Sequence, residues 1–258
     1  MTKEFDGKVA LVTAAGAGIG AATARAFAQR GARVMLADID EESGSGMAAT
    51  LREEGAEAQF VRCDAMQEAD IAHAVNQTVS QLGRLDLAAN VVGDSIGDAN
   101  GPDMHLKSVE GWDATFGICI RSTFLCLKHE IAHMIEHGGG AIVNVSSLAG
   151  LVYVPESGAA YSSAKAGLIQ LTKFAAVTYA ERGVRVNCIA PGVTPTRAYY
   201  KRGPEAAQAQ ISRMVDRQAI KRAIGVEEQA AAIAWLCSDE SAMVTGHLMP
   251  VDGGWAAH

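Results

Sequence analysis

The stretch from Val9 to Asp38 restricts the fold more than any other. Val9-Ala10-Leu11-Val12 is an apolar run of strand length. Thr13-Ala14-Ala15-Gly16-Ala17-Gly18-Ile19-Gly20 follows, then an alanine-rich helical segment over 21–29 that stops at Gly31. A second apolar strand, Arg33-Val34-Met35-Leu36-Ala37, ends on Asp38. Strand, glycine loop, helix, strand and acid form one unit, and each part has a physical use. Glycines let the backbone approach a pyrophosphate, and the helix N-terminus offers free N–H groups and the positive end of its dipole. Asp38 stands where a carboxylate accepts hydrogen bonds from a ribose diol, and its charge opposes a 2′-phosphate, which favours NAD over NADP. A tight turn with a helix cap and a solvated acid is the bland alternative. The agreement of strand, helix and acid favours the dinucleotide.

The alternation continues. A helix over about 45–54 leads to a strand over 58–63 that closes on Asp64, and a helix over about 68–82 leads to a strand over 85–89 that closes on Asn90-Val91-Val92-Gly93. A looser segment covers 94–107, a long helical stretch runs over about 109–136, and Gly138-Gly139-Gly140 breaks it. The strand over 141–145 delivers Ser146 and Ser147, and a helix carrying Tyr161 and Lys165 runs to about 182. The strand over 184–189 ends at Ala190-Pro191-Gly192, and a polar segment with little apolar periodicity covers about 194–210. A last helix over about 227–236 precedes the strand 247–251 and an Asp252-Gly253-Gly254 turn. Strands alternating with helices mean an α/β chain: a doubly wound parallel sheet with helices on both faces and ligands beyond the carboxyl ends of the strands. No linker or repeat divides residues 1–258, which are expected to form a single dinucleotide-binding and catalytic domain with a substrate lid at about 194–214.

Tyr161 and Lys165 are four residues apart and share one helix face. An ammonium beside a phenol favours phenolate, and a hydroxyl such as Ser147 can hold a carbonyl oxygen against it. That set suits taking a proton from an alcohol while a hydride leaves the same carbon. The pair is weak as an isolated motif and gains its meaning from the hydride-acceptor site upstream.

The net charge of -7 gives no invitation to nucleic acid or anionic membrane. Cys63, Cys119, Cys126, Cys188 and Cys237 are odd in number and scattered, so neither a disulfide framework nor a zinc site is expected. With no signal-like start and no apolar run long enough for a bilayer, a soluble cytoplasmic protein is the expectation.

Taken together the motifs resemble the short-chain dehydrogenase/reductase family over nearly the whole chain. The glycine loop, the Asn90 segment, the Ser147/Tyr161/Lys165 set, Pro191-Gly192 and Val251-Asp252-Gly253-Gly254 stand in family order. The resemblance implies a Rossmann-type sheet of about seven strands, a nicotinamide cofactor and interconversion of a secondary alcohol and a ketone. It makes Tyr161 the general acid/base, gives Lys165 the nicotinamide ribose and a pKa-lowering role, and has Ser147 orient the substrate oxygen. It places Ala14, Gly16, Gly18, Ile19 and Gly20 at the phosphates and ribose, Asp38 and Ile39 at the adenosine, and Asp64 and Ala65 by the adenine. Asn90 and Val91 follow at the cofactor, and Pro191, Gly192, Val193, Thr194 and Thr196 at the carboxamide and phosphates. Tyr153 joins Ser147 and Tyr161 as a substrate contact. The family also implies a homotetramer.

Four departures from the family pattern stand out. Thr13-Ala14 replaces Thr-Gly, Asn90-Val91-Val92-Gly93 keeps only the ends of Asn-Asn-Ala-Gly, and the loop between Ser147 and Tyr161 is one residue longer than usual, near Glu156-Ser157-Gly158. Aligned through Trp112-Asp113 and Phe124-Leu125-Cys126, Cys119 takes the place of the catalytic asparagine. In the family that residue supports a water leading from the lysine to solvent, partly through its main-chain carbonyl. Cys119 is therefore expected to weaken the relay without abolishing it.

His129-Glu130-Ile131-Ala132-His133 matches a zinc-protease pattern but lies far from the cofactor elements, and no metal is expected. Arg197, Lys201 and Arg202 offer cations to an acidic substrate, weighed against a solvated lid. The reading is an NAD-dependent oxidoreductase acting on a bulky, mostly apolar alcohol or ketone such as a steroid or aryl compound. The alternatives are an NADPH-dependent 3-oxoacyl thioester reductase, which Asp38 opposes, and a non-catalytic NAD-binding sensor.

Overall fold

A computed structural model describes residues 3–97 and 99–257. In chain order it contains β1 Val9–Thr13, α1 Gly18–Gln29, β2 Arg33–Asp38, α2 Glu41–Glu53, β3 Ala58–Arg62, α3 Glu68–Leu82 and β4 Leu87–Asn90. There follow α4 Val109–Phe116, α5 Ser122–Glu136, β5 Gly140–Val145, α6 Ala159–Tyr179, β6 Val184–Pro191, α7 Pro204–Val215, α8 Val226–Cys237 and β7 Leu248–Val251. The strands form a 7-stranded parallel sheet in the order β3-β2-β1-β4-β5-β6-β7.

The sheet is apolar on both faces, which is why its strands read as continuous hydrophobic runs and not as alternating ones. Ala10 and Val12 of β1 share a core with Phe27 of α1, Leu51 of α2 and Ile233 of α8. Val9 and Leu11 face the other way, into a core with Ile71 of α3, Leu125 and Met134 of α5 and Ala176 of α6. The chain reverses direction across the sheet between β1 and β4, so the crevice beyond their carboxyl ends is the place for a ligand.

Three stretches differ from the sequence expectation. The helical stretch over 109–136 is interrupted by a π turn at Gly117–Arg121. There the hydroxyls of Ser122 and Thr123 donate to the carbonyls of Ile118 and Cys119 at 2.7 and 3.0 Å, a back-bonding that opens and bends helices. The polar segment expected from Thr194 contains a full helix, α7. Pro204 opens its first turn, and Ala207, Ile211 and Met214 at i, i+4 and i+7 bury one narrow face. The first helix after β2 also begins earlier than expected, because the Asp40 carboxylate accepts the Ser43 N–H and caps it.

Candidate active site

A cleft of about 810 Å³ opens along the carboxyl edge of the sheet. Its wall brings together Ala14, Gly18, Ile19, Gly20 and Asp38 from the first unit, Val91 and Gly93 after β4, Ser147, Tyr161 and Lys165, and Pro191, Gly192, Thr194 and Thr196 after β6. One cleft thus holds the glycine loop and the Ser–Tyr–Lys set, which the sequence separates by more than a hundred positions.

The residues present fit a dinucleotide. α1 begins at Ala17 and Gly18 with no side-chain cap and no acid in its first turn, so its leading N–H groups face the cleft unspent. Gly18 has φ 57°, and a Cβ on it would meet Thr196 at 3.3 Å. A Cβ on Gly20 would collide with the Ala14 carbonyl. Asp38 accepts the N–H of Gly16 at 2.8 Å and of Asp40 at 2.9 Å, which locks the acid to the loop while it still lines the cleft. Ala14 has φ 52° and is the one non-glycine residue with positive φ among the described residues. Its methyl group stands in a conformation that glycine adopts without strain.

The far side is fixed by contacts that the sequence did not announce. Pro191-Gly192 packs on the last turn so closely that a Cβ on Gly192 would lie 2.6 Å from Asp252 Cα. Gln218 accepts the Val193 N–H at 3.2 Å, and Gln229 donates to Thr194 Oγ1 at 3.0 Å and to the Val251 carbonyl at 2.9 Å. Arg217 spans from the end of α7 to Glu156 with bonds of 3.2 and 3.3 Å, tying that end to the loop before Tyr161.

At the centre, Ser147 Oγ accepts the Ala149 N–H at 3.1 Å and stands beside the Tyr161 phenol, whose charged form it favours. Lys165 is buried; its Nζ donates to the Val145 carbonyl at 2.8 Å and lies 5.7 Å from the Tyr161 ring centre. A Cβ at Gly93 would run into Lys165 Nζ and come within 3.7 Å of Cys119 Sγ, so the glycine leaves the room that Lys165 takes at the cleft. The expected lowering of the Tyr161 pKa does not appear in this structure. Burial raises the phenol above its ordinary value, Cys119 adds to the rise, and the Ser147 hydrogen bond opposes it.

Cys119 lies fully buried in the π turn and donates its thiol to the Asp94 carbonyl at 3.1 Å. Burial pushes the thiol up, with Lys165 opposing, so it is held neutral and is no nucleophile. Its carbonyl accepts Thr123 Oγ1.

Several residues expected at ligands stand elsewhere. Tyr153 is 79% exposed and does not line the cleft, because the Leu148–Gly150 turn carries the chain outward before it returns through Val154. Asn90 is buried below the cleft, where its Nδ2 donates to Glu130 Oε2 and Asn144 Oδ1, both at 3.0 Å. Val193 is buried in a cluster with Trp255, Ile211 and Met214. Ala65 is buried in the core beneath α3 and α5, Asp64 accepts the Met66 N–H, and Ile39 is exposed. None of these, nor Gly16, forms part of the cleft wall.

The His-Glu-x-x-His run is divided among separate partners. His129 contacts Glu68, Glu130 turns inward to Asn90, and His133 stacks on His137 at 4.0 Å. Burial pushes the Glu130 carboxyl up to about 7, and Asn144 passes the network on to Thr172 at 2.9 Å. No helix among the described residues is long and apolar enough to cross a membrane.

A family model described as enoyl-(acyl carrier protein) reductase matches residues 13–256. A cis-4-hydroxycyclohexanecarboxylate dehydrogenase of Sinomonas cyclohexanicum is 42% identical over 260 residues, covering 100% of each chain. A cyclohexanol dehydrogenase of Acinetobacter sp. (strain SE19) is 35% identical, covering 100% of this chain and 98% of its own. The crystal structure of a levodione reductase matches with a TM-score of 0.92 at 30% identity, covering 98% of this chain and 99% of the other. The chain belongs to the short-chain dehydrogenase/reductase family.

Proposed function

We propose that the protein is an NAD-dependent dehydrogenase that interconverts a cyclic secondary alcohol and its ketone. The observation that carries this is the grouping of Ser147, Tyr161 and Lys165 in the same cleft as the glycine loop and Asp38. Ser147, held by the Ala149 N–H, presents its hydroxyl proton to the substrate oxygen. Tyr161 takes the carbinol proton on its oxygen, and the C–H hydrogen leaves as hydride in the same step. When bound, the oxidised dinucleotide supplies the hydride acceptor and a positive charge. Burial holds the proton on the phenol, and the Lys165 ammonium, 5.7 Å from its ring centre, is the group of this chain that favours its release.

Asp38 supports NAD: its carboxylate would accept a ribose diol and repel a 2′-phosphate. The relatives named for cyclohexanol and hydroxycyclohexanecarboxylate share a six-membered ring with a secondary hydroxyl, and an alicyclic ring is preferred here to a steroid or aryl group. Leu148, Val154 and Met214 give the cleft an apolar wall of matching character. One domain carries both halves of the site, with 194–214 as its lid. Phe124, Phe174 and Val177, exposed on α5 and α6, support assembly into a homotetramer, and the free cysteines suit the cytoplasm. The test is oxidation of cyclohexanol with NAD and with NADP, followed by absorbance of the reduced nicotinamide. Turnover with a clear NAD preference is expected; turnover with NADP alone would refute the cofactor assignment, and no turnover of any cyclic alcohol would refute the activity.

A further inference from the structure

We infer that Arg213 is a specificity-determining residue that anchors an anionic group, a carboxylate, on the substrate. The inference rests on the dehydrogenase reading and narrows its substrate class to cyclic hydroxy acids or the corresponding oxo acids.

Three observations lead there. The first is placement. Gln210, Arg213 and Met214 lie at i, i+3 and i+4 of α7 and line the cleft with one face, while Ala207, Ile211 and Met214 bury the adjoining one. The helix is fixed at its end by the Arg217–Glu156 pair, so Arg213 projects from an anchored element.

The second is that Arg213 has no internal partner. Arg197 contacts Asp40 and Ser43, Arg217 contacts Glu156, and Arg222 contacts Glu228. Among the described residues no hydrogen bond or ion pair engages Arg213. The acids of the cleft are committed elsewhere: Asp38 to two backbone N–H groups, Glu156 to Arg217, and Asp94 to the Ser95 N–H. The side chains of Lys201 and Arg202 lie outside the described residues.

The third is the character of the space. Apolar Leu148, Val154 and Met214 stand in the same cleft as the Ser147–Tyr161 pair and the Arg213 guanidinium. Tyr199 is there too, its phenol pushed up to about 12 by burial and by Glu156, so it adds a neutral ring to the wall. A compact ring with a hydroxyl at one end and an acid at the other satisfies both polar ends while its body meets apolar side chains. An arginine fork suits a carboxylate because two parallel N–H donors match its two oxygens. In a chain of net charge -7, a cleft cation with no ion-pair partner among the described residues also gives an anionic ligand a local point of attraction.

The test compares kcat/KM for 4-hydroxycyclohexanecarboxylate and for cyclohexanol in wild type, Arg213→Ala and Arg213→Lys. The wild type should favour the acid, and Arg213→Ala should lower the acid-to-neutral ratio roughly 10- to 100-fold, mainly through KM. Arg213→Lys should recover part of that ratio, and KM for the acid should rise with ionic strength in the wild type and, less steeply, in Arg213→Lys, but not in Arg213→Ala. Oxidation of cyclohexanol with no wild-type preference for the acid would overturn the inference and leave the dehydrogenase reading standing. So would a loss in Arg213→Ala equal for both probes, the sign of a helix that merely shapes the lid. Turnover of neither probe would overturn both.

Discussion

Glu130 gives the sharpest link between burial and a measurable free energy. It is fully buried on α5, its carboxyl is pushed up to about 7 by desolvation, and the Asn90 amide, which opposes that rise, is its hydrogen-bond partner. Among the described residues, Asn90 Oδ1 and Glu130 Oε1 both lack a partner. A proton turns a buried acceptor of the carboxyl into a donor and removes its charge, which is the state that burial favours. Asn144 of β5 and Thr172 of α6 complete the network, and the thiols of Cys126 and Cys237 are the titratable neighbours that feel its charge. Because the folded value lies above the unfolded one, the native state binds the proton more tightly. Its stabilisation is intact below about pH 4.5, erodes as pH rises and is gone above about pH 7. The difference between the two values is about 3 kcal/mol in full, most of it lost between pH 5 and pH 8. Glu130→Gln mimics the neutral acid, with a carbonyl to accept and an N–H to donate. Urea unfolding followed by circular dichroism at fixed protein concentration should show the variant gaining about 2–3 kcal/mol on wild type from pH 5 to pH 8. Other titrating groups are common to both proteins and cancel. Parallel pH dependences, or a variant less stable at every pH, would refute the neutral buried acid.

Two further substitutions test the departures from the family pattern. Ala14→Gly removes a methyl from a positive-φ position; about 1–2 kcal/mol of relief less about 0.4–1 kcal/mol of added unfolded-state entropy should raise Tm by about 1–4 °C. A fall in Tm would show that the Ala14 methyl packs favourably and is not strained. Cys119→Asn replaces a weak thiol donor in the π turn and should raise kcat by up to about fivefold, the worth of one neutral hydrogen bond. A wild type inactive on every alcohol, with activity in the variant, would contradict the view that the relay is only weakened.

The sheet was legible because each strand is a short apolar run that ends on a marked residue: Asp38, Asn90, Ser147 or Pro191-Gly192. Elements whose cause is local, such as the uncapped start of α1, could be read in the same way. What escaped depends on distant partners. Asn90 looked like a cofactor contact because Glu130 and Asn144, which hold it inward, lie 40 and 54 residues away in sequence. α7 hid in a polar stretch because only three of its residues are buried. Tyr153 was misplaced because its neighbours in sequence line the cleft while its own side chain turns to solvent. The acidity of Tyr161 was judged from the nearby amine alone, whereas desolvation of the phenol is the larger effect. Arg213 drew no notice because a missing partner is visible only in three dimensions.

The central claim is that the Tyr161 oxygen carries the substrate proton. Single-turnover oxidation of cyclohexanol by Tyr161→Phe, in protein shown by fluorescence to bind the reduced dinucleotide still, should be slower by about 10²- to 10⁴-fold. A rate near that of the wild type would contradict the account.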